Sequence, residues 1–406
     1  MLPRGEIAAT LAAPLAHPVA GHPHVDVPVA LVAGTAALLV FVVTLALPTG
    51  REGPAAPLPV VTSWAGRLSR AQVCLRVVAV AVLVLAIATG RLGLDDELEN
   101  LAPALVVGVA WPSLVLVSIT LGAVWRWVDP WDGIARTFSR GEPESPPTHV
   151  WPAAVIVASV VWYLSAYPDL LDPRAVGMAV ALYTVLTLAG CVAAGRVRWL
   201  ASAEPLGTVL SWMALVPKRR LADWSPPPGA EAVLGVLTGG LLFGLIRTSE
   251  LWAAVNQQPA AELWATVGLA CCCVLVAVLL VAVRRFAASL GGGSGVVWAV
   301  VPATAGIVLA VALERNRLFT SVQLLPGLFG DPFGYGWNLL GPAVAGLDPT
   351  PIGAAALLVL QLAVLVVAHL VGAFVVARRL QGVARVPAAT VLLHLMGVSA
   401  AAIAVH

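Results

Sequence analysis

Between Asp95 and Arg140 lies a segment compatible with very few folds. Four acids, Asp95, Asp96, Glu97 and Glu99, precede an apolar run from Leu101 to Val124. The run ends in Trp125-Arg126-Trp127-Val128-Asp129-Pro130-Trp131-Asp132. A helix needs about 20 apolar residues to cross the hydrocarbon core of a bilayer. Aromatic and basic residues at one end mark an interface and a cytoplasmic side. The segment therefore reads as a transmembrane helix with its acidic end outside, and it sets the phase of the other spans.

Runs of the same kind recur over 27–48, 73–90, 101–124, 150–167, 174–195, 231–248, 262–283, 296–313, 352–377 and 387–405, which predicts ten spans. An eleventh apolar piece, 205–216, is too short to cross and stops at Pro217. Both its flanks are basic, so it reads as a re-entrant or interfacial helix. No alternating strand pattern is present, and the expected fold class is an all-α polytopic bundle. Only 11% of the chain is charged and 60% is hydrophobic, against about a quarter charged in soluble domains. That composition excludes a soluble enzyme.

With Arg126 and Arg136 placed inside, the inner connections hold Arg51, Arg67, Arg70, Arg126, Arg136, Arg140, Arg196, Arg198, Lys218, Arg219, Arg220, Arg284, Arg285, Arg378, Arg379 and Arg385, sixteen cations. The outer side holds six, Arg4, Arg91, Arg174, Arg247, Arg315 and Arg317, while Arg76 falls near the inner end of span two. This is the positive-inside bias, and it puts both termini outside. The division expected is an extracytoplasmic tail, 1–26, followed by one membrane domain, 27–406, with a long outer connection over 314–351. That connection carries Asp331-Pro332-Phe333-Gly334-Tyr335-Gly336-Trp337 and is apolar enough to lie on the outer face or dip into it. The first 25 residues lack a basic region followed by a long apolar run, so no cleavable signal peptide is expected. The arginines lie scattered in short loops and are explained by topology, which argues against nucleic-acid binding.

Ionisable groups at bilayer depth are costly and are functional candidates by default. His369 in span nine and His394 in span ten both fall about 10–12 Å from the inner boundary at 1.5 Å per residue. A short connection makes their helices antiparallel neighbours, so the two imidazoles can share a metal ion, a proton or a quinone-like ligand. Equally, each can bond a nearby carbonyl and fix helix packing. Gln361 lies on roughly the same face as His369. A second set, Arg247, Glu250, Asn256, Gln257, Glu314, Arg315, Arg317 and Asp331, gathers at the outer surface. It suits a polar or anionic substrate, or a set of interfacial salt bridges. His17, His22, His24 and Asp26 in the tail are an outer metal candidate or an accidental cluster. Cys271, Cys272 and Cys273 point about 100° apart around a helix and read as small apolar fillers. Asp129, Asp132 and Glu204 read as helix caps beside prolines.

Several fragments occur in a telling order: His24-Val25-Asp26-Val27-Pro28, Glu99-Asn100-Leu101-Ala102-Pro103, Asp129-Pro130-Trp131, Trp151-Pro152-Ala153, Tyr183-Thr184 and the Asp331–Trp337 motif. Together they resemble a bacterial family of integral membrane proteins labelled fenitrothion hydrolase-like, over most of the chain. The resemblance implies a bacterial plasma-membrane protein that hydrolyses an organophosphate triester with a metal-activated water. The chain departs from that family where Ala312-Leu313-Glu314 replaces Ala-His-Tyr after span eight, and where Ala377-Arg378 replaces a His-Asp pair. His369 keeps the upstream histidine. Two functions of different class follow. One is a membrane-embedded phosphotriester hydrolase with His369, His394 and Glu314 near a divalent metal and Arg247, Glu250, Gln361 and Asp331 around the substrate. The other is a non-enzymatic carrier, channel or partner subunit for a small solute or metal ion.

Overall fold

A computed structural model describes residues 29–48, 68–139, 148–217, 221–340 and 347–405, and every regular element in them is helical. The tail 1–26, with His17, His22, His24 and Asp26, lies outside the described residues, as do Lys218, Arg219 and Arg220. Each predicted span corresponds to one helix. These are α1 (Val29–Ala46), α2 (Arg70–Leu92), α3 (π-helical over Pro103–Ala110, then α-helical over Trp111–Leu121), α6 (Trp151–Ser165) and α7 (Pro173–Ala194) in the first half. In the second half they are α10 (Ala230–Thr248), α12 (Ala261–Ser289), α13 (Gly293–Leu313), α15 (Ala354–Ala377) and α16 (Val386–Ala404). Among the described residues eight helical stretches are long and apolar enough to cross a membrane, and 31–46 and 151–165 are shorter apolar helices. The chain is a multi-pass membrane protein built as a helix bundle.

Close contacts fix the register of the helix pairs. Gly90 on α2 sits against Pro173 and Gly177 on α7, and Gly235 and Gly239 on α10 sit against Ala277 and Cys272 on α12; both pairs are antiparallel. Gly306 and Gly372 bring α13 and α15 together in the same sense. By contrast α10 and α6 run parallel, because Gly240 meets Val161 and Gly244 meets Ser165. Small residues at these crossings let backbones approach, which drives helix association where lipid removes the usual hydrophobic gain. Helices α10 and α13 are buried along most of their length and form the centre. A hydroxyl pair, Thr238 with Thr304 at 2.7 Å, joins them.

The first and last helices close the bundle. Gly397 of α16 lies against Ala37 of α1. At their other ends Arg385, buried to 3% exposure, donates to Leu380 O, Ala377 O (2.7 Å) and Leu47 O (2.6 Å). One guanidinium thus satisfies terminal carbonyls of both α15 and α1, groups that a helix end leaves without partners. Arg385→Ala is expected to cost about 2–3 kcal/mol, the range for bonds to a charged donor. Thermal unfolding in detergent checks it, and Lys at this position should restore little because it lacks the planar fork.

The structure differs from the sequence expectation in three places. The 101–124 span stops at Gly122, whose φ of 94° is open to glycine and strained for other residues. The chain then forms two short helices, α4 (Trp125–Val128) and α5 (Pro130–Ala135). The short 205–216 segment is the helix α9 (Pro205–Met213), and a further short helix, α8 (Arg196–Ser202), precedes it in the connection after span five. The 314–351 connection contains a 14-residue helix, α14 (Arg317–Gly330), after a kink with Arg315 at φ 52° and Asn316 at φ 58°. This helix runs antiparallel to the π-helical start of α3, with Ser321 on Gly108 and Leu328 packed with Leu101 and Ala104. A short helix, α11 (Glu250–Asn256), links α10 and α12.

Candidate functional site

Two places where the backbone turns back meet inside the bundle. Helix α7 ends at Gly195, with φ 86°, and α8 then runs back along it. Trp199 lies on Gly190, and Glu204 reaches Tyr183, so residue numbers rise on one helix as they fall on the other. Tyr183 is ten residues from Pro173 and eleven from Ala194, which places the Glu204-Pro205 apex beside the middle of α7. The second turn-back is α5. Gly133 sits against Arg76 and Val80 of α2, six to ten residues along that helix from Arg70. At 1.5 Å per residue that is about 9–15 Å from the helix end.

Helices α5 and α9 each begin at an acid followed by proline. Asp129 Oδ1 accepts Trp131 N (2.9 Å) and Asp132 N (3.0 Å), and caps α5. Glu204 Oε1 accepts Leu206 N (2.9 Å) and Oε2 accepts Gly207 N (2.6 Å), and caps α9. An N-terminal oxygen acceptor is worth about 1 kcal/mol to a helix. Here the caps have another consequence, because Asp129, Asp132 and Glu204 are all fully buried.

Asp132 collects three arginines. Arg76 from α2 and Arg196 from α8 donate to its two oxygens, and Arg136, one turn further on, donates at 2.8 Å. Arg76 also holds Arg126 O at 2.7 Å, which ties α4 into the same knot. Elements separated by 56 and 64 residues in sequence are thus pinned to one carboxylate. Glu204 has a different environment. The Tyr183 hydroxyl donates to it, and the Tyr183 ring stands 5.0 Å from Trp131, itself 5.7 Å from Trp125. Trp131 Nε1 bonds Thr184 at 3.1 Å. The result is an aromatic box holding two carboxylates, next to a salt-bridged third.

Beside the break between α3 and α4 lies an open cavity of about 310 Å³, lined by Gln72, Leu121, Ala123, Val124, Arg126 and Trp127. One of its lining residues, Arg126, accepts through its carbonyl from Arg76, which in turn pairs with Asp132.

The residues singled out from sequence are dispersed. His369 is fully buried, its Nδ1 2.7 Å from Leu365 O and its Nε2 without a partner. His394 stands on the exposed side of α16, its Nδ1 2.7 Å from Thr390 O. Each ring is thus held by its own helix, and no hydrogen bond joins the two. Gln361 donates to Ala310 O and packs α15 on α13. Arg247 donates to Ser165 O and Tyr167 O, Glu250 is exposed, and Asp331 accepts Tyr335 N and Gly336 N within its own loop. Glu314 is buried, and its nearest cation, Arg315, lies 3.9 Å away, a Coulombic contact too long to be a hydrogen bond. Among the described residues no three His, Cys, Asp or Glu side chains form a set able to hold a metal ion. Cys271 is exposed and Cys273 buried, so the cysteine run faces several ways.

Arg76, Tyr183 and the joint role of the three acids are what the sequence reading passed over. The available signals were a lone arginine within an apolar span and two acid-proline pairs beside apolar helices. Comparisons of the chain with protein-family models, curated proteins and solved structures give no match.

Proposed function

We propose that the protein is a non-enzymatic carrier for a small polar solute or ion, with its site at the buried Asp129–Asp132–Glu204 cluster. The observation that carries this reading is the pair of helical chain reversals that meet with fully buried acids at mid-helix depth. Interrupted helices at bilayer depth supply what carriers use, namely helix ends, backbone groups and ionisable side chains facing a cavity rather than lipid. Charges in such places are expensive, and function is the usual reason for keeping them. The arginine-rich face is cytoplasmic on this reading, with both termini outside in a bacterial plasma membrane. The cavity at Arg126 and Trp127 is then the inner vestibule.

The hydrolase implied by the family resemblance calls for His369, His394 and Glu314 around one divalent metal. With His394 on the exposed side of α16 and His369 fully enclosed, the geometry favours the carrier. One preparation tests both. The full chain is reconstituted in liposomes and challenged with a panel of small amines, carboxylates and inorganic ions on a capacitive membrane sensor. In parallel, detergent-solubilised protein is assayed on an aryl phosphotriester. A saturable current with one class of solute supports the carrier. Phosphotriester turnover lost in His369→Ala, with no current for any solute, supports the hydrolase and overturns the proposal.

A further inference from the structure

We infer that Asp129 is a proton-binding site and that the carrier exchanges this proton as it works; this rests on the carrier reading above. The argument starts from how the charges in the cluster are distributed. Counted over the cluster, Arg76, Arg136 and Arg196 balance Asp129, Asp132 and Glu204, but the contacts are one-sided. All three arginines bind Asp132. Among the described residues no cation lies within ion-pairing distance of Asp129 or Glu204. Arg76, the cation that acts on Asp129, does so from beyond contact while bonded to Asp132.

The two remaining acids are then served unequally by hydrogen bonds. Glu204 receives three donors, the Tyr183 hydroxyl and the Leu206 and Gly207 amides, each of which offsets part of the cost of burying a carboxylate. Asp129 spends Oδ1 on its helix cap, and its Oδ2, fully buried, has no partner. A buried carboxylate oxygen with neither cation nor donor is the least stable arrangement a carboxyl can adopt. A proton on Oδ2 removes the charge and turns the orphan acceptor into a donor.

A second buried atom without a partner belongs to the same cluster. Trp125 Nε1 is buried and without an acceptor, and it faces the apex of the α8–α9 hairpin. A Cβ on Gly207 would fall 3.1 Å from this nitrogen and 2.7 Å from Glu204 Oε2. The unmet donor beside Glu204 calls for an acceptor, and the unmet acceptor on Asp129 calls for a donor. A water or a hydroxyl or amide group of the solute has that chemistry. The titratable and charged groups that act on Asp129 or are acted on by it are Glu204 from the hairpin, Asp132 from its own helix, Arg76 from α2 and Tyr183 from α7. Two of these, Glu204 and Asp132, are acids like Asp129 itself. On release, the Asp129 O–H bond breaks, the electron pair stays on the carboxylate, and the proton passes to a water molecule that reaches the cluster as the carrier changes state. No other reactant is needed.

Infrared difference spectroscopy of the reconstituted full chain during a pH jump reads this directly. The wild type should show the carbonyl stretch of a protonated carboxylic acid, shifted in deuterated water. Asp129→Asn should lose it while staying folded, because Asn keeps the Oδ1 cap. Glu204→Gln should move the band without removing it. The inference is overturned by a wild type with no such band, by a band that survives in Asp129→Asn, or, if that variant does not fold, by a band that Glu204→Gln leaves in place. The two readings fail separately. An Asp129 band in a protein that moves no solute removes the carrier and keeps the proton site. Solute uptake that ignores both the pH gradient and Asp129→Asn removes the proton exchange and keeps the carrier.

Discussion

Asp132→Asn is expected to lower stability by about 3–5 kcal/mol, the penalty for removing one partner of a buried ion pair. The reason is that one fully buried carboxylate neutralises guanidinium groups from α2, α5 and α8. Asn keeps the volume and one acceptor oxygen but removes the negative charge against which the buried guanidinium of Arg76 is placed. Against a total stability of about 5–15 kcal/mol, this is enough to spoil yield and monodispersity in detergent. The loss should be partly reversed by a second change, Arg76→Leu, which removes one of the stranded charges; coupling of this kind marks residues in contact. Thermal unfolding of the single and double variants decides it. A single variant that melts with the wild type would mean that the arginines are neutralised by something other than Asp132.

The second large effect is steric. Residue 190 lies under the indole of Trp199, and a Cβ there would overlap the ring. Gly190→Leu therefore pushes α8 away from α7 and breaks the bond from Tyr183 to Glu204, a loss of about 1–3 kcal/mol or more for overpacking. Trp199→Ala in the same chain makes room and should return much of the stability. If Gly190→Leu alone behaves as wild type, α8 does not lie along α7.

These predictions turn on parts of the molecule that were only half legible in the sequence. The ten apolar helices, eight of them long enough to cross a membrane, were readable because a bilayer demands about 20 apolar residues in a row and little else supplies them. What happens between spans was not readable in the same way. Gly122 and Gly195 each close an apolar run, and a glycine there looks like the ordinary end of a helix. Only contacts across 56 and 64 residues, Asp132 with Arg76 and Arg196, reveal that the chain turns back into the bundle. A single sequence carries no record of such pairs. Similarly, helix rise placed His369 and His394 at matching depth, but nothing fixed which way each side chain faces. In a helix that is apolar all round, the face turned to lipid and the face turned to the core have the same composition. The structure buries His369 and exposes His394. Asp132, also read as a cap, caps no helix and binds arginines instead, whereas Asp129 and Glu204 were recognisable as caps from the prolines beside them. Their second role depends on the aromatic box that Trp125, Trp131 and Tyr183 build from three separate segments.

The most direct test of the carrier reading sets two variants side by side in the same liposomes. Glu204→Gln removes a charge from the site at the hairpin apex and keeps an acceptor for the cap of α9. His369→Ala removes a buried imidazole that lies in another part of the bundle. Solute-driven current should disappear in Glu204→Gln and persist in His369→Ala. Current that persists in Glu204→Gln and is lost in His369→Ala would contradict the account and move the functional centre to α15.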